Sequence, residues 1–245
     1  MGVINWFKDF GKNTLYYPGC LTKGVLKQEF ENYKNIFAKL EIDYILIPND
    51  EVCCGSPVIN AGYKKDAQKL ARKNFELFKK YNVAKIITNC PSCYNMFKEE
   101  YPKFIREWNI EVEHASSAIL KALKEKQIKF NGPDEVVTFH DPCHLGRYSN
   151  IYNEPREVIE ILGGKIIEMR HNKENSLCCG GGGGVRANFP ELSEKIAKRR
   201  ANEIPKEVEK IISPCGLCFS NLQTASNKSE EFSTFVLRRL SYIKS

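Results

Sequence analysis

The 245-residue chain contains no run of about 18 apolar residues of the kind that crosses a bilayer. Its first ten residues, Met1 to Phe10, also lack the basic start, apolar stretch and small-residue cleavage site of a secretory signal. A cytoplasmic protein without a transmembrane segment is therefore expected, at most peripheral to a membrane through a partner. There is no basic block with interleaved aromatics either. The 37 Lys and Arg exceed the 30 Asp and Glu by 7 but are scattered along amphipathic stretches, so no nucleic-acid partner is expected. The excess suits an acidic partner, or the negative charge of thiolate-bound metal. The glycine run Gly180 to Gly184 has neither the Lys-Ser/Thr of a P-loop nor the spacing of a dinucleotide fingerprint, which argues against a nucleotide. Tyr94 and Phe219 stand where a His would follow each CxxC, so c-type haem attachment is excluded.

What the chain does have is ten cysteines, an unusual number for a protein expected in a reducing compartment. They fall into two copies of one pattern: Cys20, then Cys53-Cys54-Gly55, then Cys90-Pro-Ser-Cys93; and Cys143, then Cys178-Cys179-Gly180, then Cys215-Gly-Leu-Cys218. The gaps are 32 and 35 residues in the first copy and 34 and 35 in the second, and no cysteine is left over. Context repeats with spacing. Short β-prone runs, Thr14 to Tyr17, Lys85 to Thr88, Val136 to His140 and Lys210 to Ser213, each end just before cysteines.

Between these runs lie helical patterns, with Ala67, Leu70, Ala71, Phe75 and Phe78 on one face in the first half and Leu192, Ile196, Ala201 and Ile204 in the second. Strand, cysteine turn and helix spell an α/β fold. With 42% hydrophobic residues to build a core, two similar modules are expected, each a small, mainly parallel sheet with flanking helices, related by internal duplication. The boundary is read within Lys121 to Pro133, giving modules of 1–126 and 127–245. An open parallel sheet gathers ligands at its carboxyl ends, where this pattern puts Cys20, Cys90, Cys143 and Cys215, with the Cys-Cys pairs arriving on loops.

Thiolates hold soft iron and sulfide, four being the ordinary complement of a four-iron cluster. Adjacent cysteines in an extended strand would point to opposite faces, so each pair needs a kinked loop, for which Gly55 and the run from Gly180 and Gly181 onward supply the freedom. Zinc in one module is the alternative, since four thiolates suit it, although five per set exceed its need. Disulfides do not fit a chain without export, and a dithiol at each CxxC would leave six cysteines idle. His140 and His144 straddle Cys143 and are candidates for hydrogen-bonding or proton-carrying roles near a cluster. Arg147 and Arg186 follow cysteine segments and could hold a carboxylate or offset cluster charge. Trp6, Phe7 and Phe10 read as a frayed or core-capping end in preference to a docking helix.

The twofold pattern resembles the cysteine-rich CCG domain family, best known from the B-type component of heterodisulfide reductase. His140-Asp-Pro-Cys-His-Leu-Gly-Arg147 and Cys178-Cys-Gly-Gly-Gly-Gly-Gly-Val-Arg186 are similar to segments in heterodisulfide reductase D-type components and in iron-sulfur subunits of lactate, glycolate and glycerol-3-phosphate dehydrogenases. The resemblance spans Leu15 to Cys218. It implies two non-cubane [4Fe-4S] clusters, one held by Cys20, Cys53, Cys54, Cys90 and Cys93, the other by Cys143, Cys178, Cys179, Cys215 and Cys218, facing a shared cavity in which a disulfide is reduced. Larger relatives carry a CxxCxxCxxxC ferredoxin motif that is missing here. The resemblance thus implies a heteromeric complex in which a ferredoxin-like iron-sulfur subunit or a flavoprotein supplies electrons. A disulfide or thiol small molecule is the substrate in that reading. The alternative is a non-catalytic electron-transfer subunit serving a flavin-dependent 2-hydroxy-acid or glycerol-3-phosphate dehydrogenase.

Overall fold

A computed structural model describes residues 12–47 and 52–243. The aromatic cluster Trp6, Phe7 and Phe10 lies outside the described residues. The first half runs β1 (Asn13–Tyr16), α1 (Gly19–Gly24), α2 (Lys27–Lys39), α3 (Ser56–Asn60), α4 (Lys64–Lys80), β2 (Val83–Thr88), α5 (Pro91–Asn95), α6 (Tyr101–Phe104), β3 (Glu111–His114) and α7 (Ala115–Glu125). The second half runs β4 (Glu135–Phe139), α8 (Asn153–Ile161), β5 (Gly164–Ile166), α9 (Val185–Asn188), α10 (Pro190–Ala201), β6 (Lys210–Ser213), α11 (Gly216–Leu222), β7 (Ser229–Glu231) and α12 (Phe232–Leu240).

The strands make two all-parallel sheets, ordered β1-β2-β3 and β5-β4-β6-β7. Leu15 and Ile86 pair across the first, Phe139 and Ile212 across the second. Helices cover these sheets, which is why their inner strands read as short continuous apolar runs. The free edge of β1 carries one further parallel bridge, Leu15 to Ile45, sealed by Tyr16 N to the Ile45 carbonyl at 3.0 Å and Ile45 N to the Thr14 carbonyl at 2.8 Å. Ile45 is thus a one-residue counterpart of β5. With it, each sheet has its strands in the same spatial order: second, first, third, fourth. In that order the winding reverses between the first and third strands, β1 and β2 in one sheet and β4 and β6 in the other. Open parallel sheets gather ligands at the carboxyl ends of such a reversal.

One apolar core runs between the sheets. Tyr33, Ile36 and Phe37 of α2 meet Phe232, Phe235 and Val236 of α12, and Ile119 and Leu123 of α7 lie in the same cluster as Val158 and Ile159 of α8. Polar contacts cross the same seam: the Tyr33 hydroxyl donates to Glu231 Oε1 at 3.0 Å and Asn32 Nδ2 to Thr234 Oγ1 at 3.0 Å.

The helix faces differ in how well periodicity placed them. On α4 the buried residues include Ala67, Ala71, Phe75 and Phe78, as the spacing predicts. On α10 they are Ser193, Ala197 and Arg200, whereas Leu192 is exposed and Ile196 only partly covered. This helix turns a polar stripe inward, because Ser193 and Arg200 bond to the segments that carry the second cysteine set.

Candidate metal centres

Cys20, Cys90, Cys143 and Cys215 each come within a few residues of a strand end. Cys20 opens α1 after β1, Cys90 is the N-cap of α5 after β2, and the Cys53-Cys54 pair follows Ile45 and precedes α3. In the second half Cys143 follows β4, Cys215 is the N-cap of α11 after β6, and Cys178-Cys179 follows β5 and its loop. Cys90 and Cys215 thus stand at the positive N-terminal ends of helices.

In the first set the sulfurs form a hydrogen-bonded chain, Cys20 to Cys53 to Cys54 to Cys93 to Cys90, with Cys54 and Cys93 Sγ 3.3 Å apart. The chain splits the thiols. Cys53 is pushed far down by its contacts with Cys20 and Cys54, and Cys20 is pushed far up by the same contact with Cys53. In the second set Cys179 and Cys218 Sγ are 3.1 Å apart, Cys178 is bonded to Cys179 and Cys215 to Cys218. Contacts with Cys178, Cys218 and then His140 hold Cys179 well below the ordinary thiol range. Cys143 joins this set through its charge interactions with Cys179 and Cys215, and burial raises it. All ten are free thiols, and Cys20 and Cys178 are the exposed members of their sets.

Glycines make the sulfurs' close approach possible. Gly19 has φ +78°, and a Cβ there would lie 3.2 Å from Cys93 Sγ. Gly180 has φ +83°, and its Cβ would stand 2.7 Å from the Ser193 carbonyl of α10. Backbone N–H groups of Gly55, Gly180 and Gly181 donate to Cys53, Cys178 and Cys179 Sγ at 3.4, 3.3 and 3.4 Å. The three glycines expected to serve the site thus each place a backbone N–H on a cysteine sulfur.

The remaining candidates separate. His144 stays with Cys143, its Nδ1 3.4 Å from the sulfur. His140, buried beyond the end of β4, has a ring nitrogen within 4.8 Å of Cys179 and Cys218 Sγ. Arg147 clamps the loop before Cys178 through the carbonyls of Ser176 and Glu174, at 2.8 and 3.2 Å. Arg186 is exposed and donates to Ser220 Oγ at 2.8 Å.

Sequence reasoning missed the buried ionic lattice behind the second set. Asp141 accepts both Nη atoms of Arg156, at 2.7 and 2.9 Å, together with the Lys173 N–H at 2.8 Å, and Arg156 also binds Glu168. Arg200, inside a Lys-Arg-Arg run that reads as a solvated face, donates to His140, Glu203 and the His171 carbonyl. Periodicity carries no signal for such a residue. The Asp-Pro after His140 was the nearest hint.

Five soft donors gathered in each set, glycines wherever a Cβ would crowd them, and N–H groups aimed at sulfur fit a thiolate-bound metal cluster. The segments that carry the two sets also touch. A Cβ on Gly216, beside Cys215, would stand 2.5 Å from Leu26 Cδ1 and 3.6 Å from Leu21 Cδ2, next to Cys20.

Comparison with known proteins agrees with this duplication. The D-type component of dihydromethanophenazine:CoB–CoM heterodisulfide reductase from Methanosarcina acetivorans is 35% identical over 219 residues, covering 86% of this chain and 53% of its own length. EtfAB:quinone oxidoreductase of Syntrophomonas wolfei is 31% identical over 241 residues, covering 93% and 34%. The B-type component of fumarate reductase (CoM/CoB) from Methanothermobacter marburgensis is 31% identical over 185 residues, covering 74% and 36%. The chain spans about half the length, or less, of these curated relatives. Glutamate racemase from Bacillus anthracis, a solved structure, aligns with 94% of this chain and 80% of its own at 13% identity, with a TM-score of only 0.39. The sequence profile of the cysteine-rich CCG domain matches residues 14–98 and again 137–223, so the chain belongs to that family and carries its domain twice.

Proposed function

We propose that this chain is an iron-sulfur redox subunit of a heterodisulfide-reductase-like complex, with one cluster in each of two modules, 1–126 and 127–245. The observation that carries the reading is the pair of five-sulfur sets at corresponding switch points, with α1 and α11 in contact and Leu21 of α1 and Leu26 just beyond it facing Gly216. Cys20, Cys53, Cys54, Cys90 and Cys93 would hold one cluster; Cys143, Cys178, Cys179, Cys215 and Cys218 would hold the other. When bound, [4Fe-4S] clusters of the non-cubane kind supply the electrons and the sulfur-binding iron that reduce a disulfide, or form one in reverse.

The chain's own residues hold and shape that chemistry. Helix N-termini at Cys90 and Cys215, and the N–H groups of Gly55, Gly180 and Gly181, offset thiolate charge without bringing in a side chain. Exposed Cys20 and Cys178 mark the sides from which a small disulfide or thiol substrate would approach. Electrons come from a partner, a ferredoxin-like iron-sulfur subunit or a flavoprotein. Similarity to EtfAB:quinone oxidoreductase favours a second reading, transfer of electrons from a flavoprotein without disulfide chemistry.

Anaerobically purified protein is expected to hold iron and acid-labile sulfide in both modules. Cys54→Ser and Cys179→Ser should each remove one cluster's share. Disulfide-dependent oxidation of a reduced viologen by the loaded protein separates the two readings. Preparations that take up only zinc would overturn both.

A further inference from the structure

The two centres match in sulfur and differ in what stands behind it. Tyr17 and His140 occupy the same place, three residues before Cys20 and Cys143. The Tyr17 hydroxyl donates to the Val52 carbonyl at 2.6 Å. Asn74 of α4 donates to the carbonyls of Val52 and Cys53 and to the Tyr101 hydroxyl, which itself donates to the Cys54 carbonyl. Tyr17, Phe78, Phe97, Tyr101 and Trp108 stack edge to face around them. These described groups behind the first centre are neutral.

Behind the second centre, Arg200 occupies the place on α10 that Asn74 holds on α4, and it is fully buried. Its Nη1 is anchored at 2.6 Å to Glu203 Oε2 and at 2.6 Å to the His171 carbonyl, and its Nε donates to His140 Nδ1 at 3.1 Å. A guanidinium has no acceptor, so Nδ1 must offer its lone pair and the imidazole proton must sit on Nε2. That Nε2 is buried and has no hydrogen-bond partner among the described residues, on a side chain only 1% exposed. A ring nitrogen of His140 lies within 4.8 Å of Cys179 and Cys218 Sγ, and with Nδ1 taken by Arg200 it is Nε2 that is left to serve them.

We propose that Arg200 is a positioning residue that locks His140 as an Nε2–H donor toward the Cys179–Cys218 pair, and that this donor makes the second centre the more easily reduced of the two. The inference rests on the iron-sulfur reading and goes beyond it. A hydrogen bond to a ligating sulfur withdraws negative charge and so stabilises the reduced state, and in a dry site it is poorly screened. At the corresponding position of the first centre the Tyr17 hydroxyl donates to the Val52 carbonyl.

The test is a redox titration of the anaerobically loaded protein, followed by electron paramagnetic resonance, with iron content measured on each sample. Wild type should show two potentials. His140→Leu should lower only the higher one, by about tenfold in the redox equilibrium, about 59 mV for a one-electron couple. His140→Gln, which keeps a side-chain N–H, should recover part of the difference. Arg200→Lys keeps the charge and loses the planar Nε donor, and it should fall between wild type and His140→Leu; it decides the question if His140→Leu does not load iron. Equal iron content with both potentials moved together, or neither moved, would overturn the relay alone. Wild-type protein that holds no iron would overturn the iron-sulfur reading and the relay with it.

Discussion

The buried carboxyl of Glu231 makes stability fall as pH rises toward neutrality. Glu231 ends β7, is 1% exposed, and caps α12: its Oε2 accepts the Ser233 N–H at 2.6 Å and the Ser233 hydroxyl, while Oε1 accepts the Tyr33 hydroxyl from across the seam at 3.0 Å. Burial penalises the carboxylate more than these donors favour it, and raises the group from 4.5 to about 7. The folded protein therefore keeps this proton to higher pH than the unfolded chain does. The stabilisation is complete below pH 4.5 and is lost progressively as pH rises to about 7. A gap of about 2.5 pH units corresponds to about 3 kcal/mol. Glu231→Gln fills the same volume and cannot ionise in either state. Urea unfolding of both proteins from pH 4.5 to 8 should show wild type losing about 3 kcal/mol more than the variant over that range, a difference in which titrations common to both cancel. Parallel curves would refute the reasoning, because they would mean that Glu231 ionises alike in the two states.

Gly180→Ala forces a Cβ to 2.7 Å from the Ser193 carbonyl at φ +83° and should cost about 1–3 kcal/mol by thermal melting. Gly182→Ala, where a Cβ meets nothing within 4 Å, should cost little and serves as its control. Asp141→Ala strips buried Arg156 of its two-point partner and the Lys173 N–H of its acceptor, and should lower unfolding free energy by about 3 kcal/mol in urea. Gly216→Val overfills the contact with Leu26 between the two cysteine-bearing helices and should cost about 1–3 kcal/mol, read as a fall in melting temperature.

The strands and the sulfur sets were legible in the sequence because both repeat. Runs such as Lys85 to Thr88 and Lys210 to Ser213 carry a β-prone pattern, and the cysteine spacing says which strand ends must meet. The degenerate strand at Ile45 was not legible, since a single bridge leaves no period to detect. The inward face of α10 was misread for a physical reason: hydrophobic periodicity assumes that burial follows hydrophobicity. Here Ser193 is buried because it donates to the Gly180 carbonyl at 2.9 Å, and Arg200 because Glu203, the His171 carbonyl and His140 take its Nη1 and Nε, while Nη2 has no partner among the described residues. The shared core was equally hidden. Spacing carries no sign that topology sets the apolar residues of α2 and α12 face to face.

That shared core bears on what the two centres can do together. Had each sheet closed its own core, the modules would meet only through polar surface, and the distance between their switch points could vary with every change in that contact. Instead Tyr33 and Phe37 of α2 interlock with Phe232 and Phe235 of α12, and interiors of this density do not deform continuously. The helices that carry Cys20 and Cys215 are then held against each other at Gly216, where the lack of a Cβ lets Leu26 close the gap. Simple electron passage tolerates some variation in separation. Gripping both sulfurs of one disulfide does not, because the two binding points must match the length of a single bond and its substituents. A rigid seam built from one continuous core is the arrangement that the second task requires, and it gives the paired-centre reading a physical basis independent of the cysteine count.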